Sequence, residues 1–259
     1  MGRAKDIIVR PISAKDARRV VQALHYSKKT VNNSQIHLGA FLDGRCGGAL
    51  QFGPSLDKRK LQGLVKGTGW NEFIELNRMA FADWLPRNGE SRAIGWSMRW
   101  LRKNYPQLKW VVSFADGTQC GDGTIYRASG FVLTGIKKNT QVWASPTGER
   151  FSRVTVTKGT HTAKGGGGAS MRKYRENGWA PLPGFQLRYV YFLDQSARER
   201  LTVPIIPFSE IDRIGARMYR GVAGLRAGSK ASVAPGFQPG EGGATPTSAL
   251  HDEEGHGQE

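Results

Sequence analysis

The sequence predicts an α/β fold: one mixed, twisted central sheet with helices on both faces, followed by a disordered C-terminal tail. Three observations lead there. Strand-like and helix-like segments follow one another in the order β-α-β-β-β-α-β-α-β, with a hairpin where a doubly wound parallel sheet would carry a helix. Hydrophobic residues make up 39% of the 259 positions and aromatics 10%, enough for a packed core. From about Gly221 the composition turns to Gly, Ala, Pro, Ser and acids, which cannot bury enough apolar surface to fold.

The elements follow in order. Ile7–Ile12 reads as a first strand. Ser13 then stands three residues ahead of the acid Asp16, an N-cap signal, and Ala17, Val20, Val21 and Leu24 recur at helical spacing, so a helix runs from Ala14 to about His25. Gln35–Leu42 alternates, with Ile36, Leu38, Ala40 and Leu42 on one face; Asp43-Gly44 is a tight-turn signal and Cys46–Phe52 is the return strand. His37 falls on the opposite face and reads as a solvated histidine. A basic, glycine-punctuated loop follows through Lys58, Arg59, Lys60, Lys66 and Trp70. Phe73–Ala82 is a strand; Ser91 is a candidate N-cap for a helix from about Arg92 to Asn104; Trp110–Ala115 is a buried strand ending at Asp116-Gly117. Thr124–Ser129 is a short helix closed by Gly130, and Phe131–Ile136, Gln141–Ala144 and Arg153–Thr157 are strands. Gly165–Gly168 is a flexible break, Gln186–Leu193 a strand and Phe208–Met218 a short helix. The expected division is a catalytic core over 1–163, an extension over 164–220 packing on it, and the tail over 221–259.

Net charge bounds the partners. The chain carries +17. From Val222 onward two basic residues meet five acidic ones, a balance of −3, which leaves +20 on residues 1–221. A field of that size draws polyanions, and nucleic acid before membrane, since no long basic helix has a strong apolar face. Nothing in the sequence reads as a membrane span, a secretory leader or a myristoylation site. The two cysteines, Cys46 and Cys120, form neither a disulfide framework nor a zinc motif.

Three features resemble the GNAT acyltransferase fold: the strand Phe73–Ala82 feeding the turn and helix at Arg87–Ser91, the WVVSFAD strand, and the segment Gly123–Phe131 ending in Gly-Phe. In that fold the strand-to-helix junction holds a cofactor pyrophosphate on helix N-terminal amides. Here Arg87-x-x-Glu90-x-Arg92 sets an acid and a large base where such loops carry glycine, which hinders close backbone approach. Ser91 and Arg92 still offer a hydroxyl, an amide and a guanidinium to a phosphate. A sharper set is His25-Tyr26-Ser27, Glu75–Met79, Arg87–Arg92, Ser113–Gly117 and Ile125–Phe131, which together resemble the Mom family of phage DNA-modification proteins over roughly residues 7–220. The resemblance implies conversion of adenine in phage DNA to an N6-carbamoylmethyl form, in the cytoplasm of the infected host, as protection from host restriction enzymes. The alternatives are a CoA-dependent N-acetyltransferase of a small molecule or protein, and a basic DNA-binding protein without enzymatic activity.

On this reading His25, Tyr26, Asp116 and Tyr126 are the catalytic candidates. An imidazole can serve as base or metal ligand, a carboxylate can activate the adenine amine, and phenols can protonate a leaving group or, for Tyr126, stack on a flipped base. The plainer alternatives are a helix-terminal histidine, a turn aspartate and a core tyrosine. Arg78, inside an apolar strand, needs a partner; it, with Arg87, Ser91 and Arg92, is a candidate for holding the donor, acetyl-CoA or another acyl or glycyl donor. Glu75 falls on the opposite face from Arg78 if the strand is regular. His25 and Asp116 are the two candidate ligands for iron or another divalent metal. Lys58, Arg59, Lys60, Lys66 and Trp70 are the DNA-contact candidates, with Lys137, Lys138, Arg172, Lys173 and Arg175 adding phosphate contacts. The adenine amine is paired inside a duplex, so the base must be flipped out to react.

Overall fold

A computed structural model describes residues 2–153, 167–219 and 222–223. Its centre is a seven-stranded sheet in the order β1-β2-β3-β4-β5-β10-β6. The strands are β1 (Ile8–Pro11), β2 (Ile36–Leu42), β3 (Arg45–Gly53), β4 (Phe73–Phe81), β5 (Trp110–Asp116), β6 (Val132–Lys138) and β10 (Phe185–Phe192). The helices are α1 (Ala14–Leu24), α2 (Lys58–Gln62), α3 (Gly89–Asn104), α4 (Thr124–Ala128), α5 (Gly167–Glu176), α6 (Gln195–Glu199) and α7 (Ser209–Arg213). A small sheet pairs β7 (Val142–Ala144) with β8 (Arg150–Ser152) and β9 (Ala180–Pro181), and β11 (Met218–Tyr219) pairs with β12 (Val222–Ala223).

Local chemistry explains the elements. Ser13 Oγ accepts the Asp16 N–H at 3.0 Å and starts α1, which buries Ala17 and packs Val21 against Ala49 and Ala80 of β3 and β4. Asp43 and Gly44 both take positive φ, 52° and 78°, the geometry that lets a two-residue turn follow the twist of β2 and β3. On the other face α3 packs Ile94, Met98 and Leu101 over Leu50, Phe52 and Leu76. β5 is buried on both faces: Val111 and Ala115 join that cluster, while Trp110 and Val112 join Phe73, Val190 and Phe192 behind the sheet. This is why WVVSFA reads as a continuous apolar run rather than an alternation.

Several sequence expectations need correction. The basic loop after β3 contains the short helix α2. The residue before α3 is Asn88, in the left-handed region, and Ser91 is not the N-cap; its hydroxyl donates back to the Asn88 carbonyl at 3.1 Å. Gly167 and Gly168 open α5 rather than a flexible break. His37 is half-buried, its Nδ1 bonded at 3.1 Å to Gln51 Nε2, its partner across β2 and β3. Phe185–Phe192, expected in an extension, lies within the sheet, antiparallel to β5 on one side and to β6 on the other. Val154–Thr157 and, apart from 222–223, the expected tail lie outside the described residues.

The parallel pair β4 and β5 positions everything that follows. The two strands pair only at Phe73–Trp110, Ile74–Val111 and Glu75–Val112. Beyond that register the ladder stops, and Ser113 Oγ alone reaches across to the Leu76 carbonyl at 3.2 Å. The strands therefore part toward their C-terminal ends, where open α/β sheets bind ligands.

Candidate active site

The parting strands deliver two groups of chemical interest. β5 ends at Asp116. β4 carries a bulge, because Gln51 pairs with Arg78 and its neighbour Phe52 with Leu76, leaving Asn77 as the extra residue. One extra residue reverses the alternation. Glu75 and Arg78, on opposite faces in a regular strand, thus come to one side; burial raises the Glu75 carboxyl, and the Ser55 side chain and the Arg78 charge partly offset that.

The end of α1 brings a third group. His25 caps the helix, its N–H on the Val21 carbonyl at 2.9 Å, and only 8% of it is exposed. Burial and the neighbouring Arg78 charge hold its imidazole down to about 4, so the ring is neutral at pH 7. Nδ1 accepts the Ser27 main-chain N–H at 3.1 Å and meets the Ser27 hydroxyl at 2.8 Å. A main-chain N–H can only donate, so the single ring hydrogen sits on Nε2. Tyr26 packs against the ring, centroids 4.1 Å apart. Half of Tyr26 remains in solvent. Burial of its hydroxyl pushes this phenol up, Cys120, Asp116 and Tyr126 add to the effect and the Arg78 charge opposes it, so it stays protonated.

α4 brings the fourth. Tyr126 is 7% exposed and packed against Phe131 and Tyr189 at 5.4 and 5.3 Å. Its ring faces are occupied, so the expectation that it stacks on a base is not met by this arrangement; its hydroxyl end bonds Ser113. Burial pushes this phenol up, and Cys120, Glu75 and Glu90 add to the effect. Cys120 donates to the Asp116 carbonyl at 3.1 Å, and burial pushes its thiol up to about 11. It is a thiol, not a thiolate, at neutral pH.

Asp116 is a loop organiser. Oδ1 accepts from Thr118 N–H and Asn139 Nδ2 at 3.0 and 2.9 Å, and Oδ2 from Gln119 Nε2 at 3.0 Å. Three donors on one carboxylate leave little room for a metal. His25 fits a metal no better, since coordination through Nε2 would move its hydrogen to Nδ1, against the Ser27 N–H. Among the described residues no three His, Cys, Asp or Glu side chains gather to hold a metal ion. The residues present do not fit the expected iron site.

The donor candidates divide. Arg78 belongs to the group just described; its guanidinium donates to the main-chain carbonyls of Lys29 and Asn77 at 3.3 and 2.8 Å. Ser91 and Arg92 line a separate open hollow of about 350 Å³ with Lys5, Asn88, Arg99 and Ala128. α4 touches both places, through Ala128 and Tyr126. Arg87 is exposed and does not line the hollow. Glu90, in the same loop, faces Asp83, Cys120 and Tyr126, and burial raises its carboxyl. Among the DNA-contact candidates, Arg59, Lys60, Lys66 and Trp70 are exposed. Lys58 lies over the Trp70 ring at 4.5 Å and Lys60 pairs with Asp57 at 3.3 Å.

The Mom protein family matches residues 6–210. The chain belongs to that family. It is 37% identical over 206 residues to the methylcarbamoylase mom of Escherichia phage Mu, which covers 78% of this chain and 82% of the relative. Solved structures with partial overlap include the ribosomal-protein-S18-alanine N-acetyltransferase of Escherichia coli, 9% identical, covering 73% of this chain and 94% of its own with a TM-score of 0.41. A GNAT family acetyltransferase of Brucella melitensis in complex with acetyl-CoA is 21% identical, covering 48% and 82%, with a TM-score of 0.33. No helix among the described residues is long and apolar enough to cross a membrane.

Sequence reasoning gave no site role to Glu75, Cys120, Lys5 or Arg99. The bulge that moves Glu75 has no local signal in FIELNRMAF, although a carboxylate three residues from an arginine in an apolar strand is itself a cue. Lys5 and Arg99 come from segments far apart in the chain and carry no shared motif.

Proposed function

We propose that this chain is a phage DNA-modification transferase that places a carbamoylmethyl group on N6 of adenine, shielding the DNA from host restriction enzymes in the host cytoplasm. One observation carries the reading: in a member of the Mom family, His25, Tyr26, Glu75, Arg78, Cys120 and Tyr126 gather where β4 and β5 part. The bond to be made joins N6 to the methylene carbon of the incoming group as that carbon's bond to its leaving group breaks; N6 gives up a proton, and the departing group leaves with the electron pair and takes a proton from a phenol. A neutral His25 with its hydrogen on Nε2 donates a hydrogen bond and does not take that proton. Asp116 has its oxygens committed. Glu75 is the remaining carboxylate; burial raises its proton affinity above that of a free glutamate, against the opposing effects of the Ser55 side chain and the Arg78 charge, the direction a general base requires. The protonated phenols of Tyr26 and Tyr126 serve as donors to the incoming group. Ser91, Arg92, Lys5 and Arg99 would grip an anionic part of the donor that carries the carbamoylmethyl carbon on its leaving group; acetyl-CoA would be the donor only for the N-acetyltransferase alternative. Lys58, Arg59, Lys60, Lys66 and Trp70 would hold the DNA.

Mass spectrometry of nucleosides from cells expressing the chain tests the reading. The expected result is an N6-carbamoylmethyl deoxyadenosine signal that falls on the order of 10²–10⁴-fold in Glu75→Gln. Unmodified deoxyadenosine from folded wild-type protein refutes it. An acetylated product instead would favour the N-acetyltransferase alternative.

A further inference from the structure

Leu56 is the most exposed large hydrophobic side chain among the described residues, at 83%. Single exposed leucines are ordinary; this one differs in how it is held and in what surrounds it. Upstream, Gly53 passes so close to the neighbouring loop that a Cβ there would lie 2.4 Å from the Asn33 carbonyl oxygen. Asn33 Nδ2 then donates to the Pro54 carbonyl at 2.6 Å. Ser55 is buried, 6% exposed, with its side chain beside Glu75. Downstream, α2 begins at Lys58. The main chain is fixed on both sides of a leucine that folding leaves in water.

The surroundings name the partner. One residue back, Ser55 touches Glu75, a member of the candidate active site. Two residues on, Lys58 stacks on the half-exposed Trp70, and Arg59 and Lys60 face solvent. An apolar tip on a rigid support, between a reactive group and a run of cations, matches the chemistry of a side chain that enters a base stack while its neighbours grip phosphates. Extruding a paired base breaks its stacking and pairing, and an apolar side chain that fills the gap offsets part of that cost.

We propose that Leu56 is a wedge that inserts into duplex DNA in place of the adenine delivered to the site. The proposal rests on the DNA-adenine reading above and adds how a paired adenine is reached. It predicts that Leu56 matters in proportion to how firmly the target base is stacked and paired.

The test uses the full-length chain and duplexes carrying 2-aminopurine at the target position, paired with thymine or placed opposite an abasic site, alongside nucleoside analysis in cells. Wild type should brighten 2-aminopurine in both duplexes. Leu56→Ala should retain its affinity for unrelated duplex within about twofold, since the cations carry that term. It should lose the fluorescence rise on the paired duplex and adenine modification in cells by about tenfold or more, and brighten the duplex with the abasic site like wild type. Leu56→Phe should restore function. Equal brightening and equal modification by Leu56→Ala and wild type overturn the wedge while leaving the transferase reading intact. A uniform loss on both duplexes overturns it too, in favour of an ordinary contact. Wild type that leaves adenine unmodified refutes the transferase reading and this proposal with it.

Discussion

His25 holds one ring hydrogen, and the turn that follows decides where. Because the Ser27 N–H points at Nδ1, the face offered to a substrate is an N–H rather than a lone pair. The same burial that keeps the ring neutral ties stability to pH. The imidazole titrates near 4 in the fold and near 6.5 in an unfolded chain, so the unfolded state takes up the proton first as pH falls. The stabilisation is complete above about 6.5 and is lost on the way down to 4, on the order of 3 kcal/mol. Urea denaturation across that range should show wild type losing this much more than His25→Gln; parallel pH profiles would contradict a buried neutral ring. At this scale the sequence was half legible. The imidazole, the two phenols and Arg78 stand out by type and place. The hydrogen on Nε2 depends on a hydrogen bond that no spacing encodes, and the carboxylate assigned to chemistry, Asp116, is spent on its own loop.

At the scale of elements, the bulge at Asn77 has the largest effect, since it brings Glu75 and Arg78 to one side of the strand, close enough for the Arg78 charge to act on the Glu75 carboxylate. Regular alternation is the rule from which strand faces are read, and one unpaired residue is enough to defeat it. Of the signals that act within three or four residues, the Ser13 cap, the Asp43-Gly44 turn and the Gly130 stop occur as expected, while the Ser91 cap gives way to Asn88. The cap can be measured. Ser13 both accepts the Asp16 N–H and donates to its carboxylate at 2.6 Å, and Ser13→Ala should cost about 1 kcal/mol. The expected record is a lower urea midpoint with an unchanged slope. Because α1 ends at His25, the variant should also weaken modification in proportion to the loss of helix order, while leaving DNA affinity unchanged.

For the molecule as a whole, charge and topology make separate contributions. The excess of +20 on residues 1–221 was read directly from composition, and it should express itself as counterion release. Affinity for duplex DNA should fall steeply with salt, and replacing Lys58, Arg59 and Lys60 together with glutamine should flatten the log–log slope by about 2 to 3; an unchanged slope would place the DNA on another face. Topology was less legible. The order of strands and helices follows from periodicity, but pairing between distant strands leaves no periodic trace, and so the strand read at Gln186–Leu193 falls in an extension packing on the core, whereas Phe185–Phe192 lies within the sheet. Its actual place between β5 and β6 has a consequence for synthesis. Those two strands are joined in the sheet only through β10, so a nascent chain halted before Phe185 carries two open edges that no later contact has yet sealed. The ribosome must release the chain as far as Phe192 before the sheet can close. Until then the half-made protein is a template for aggregation, a hazard that falls on the chaperones of the cell that makes it.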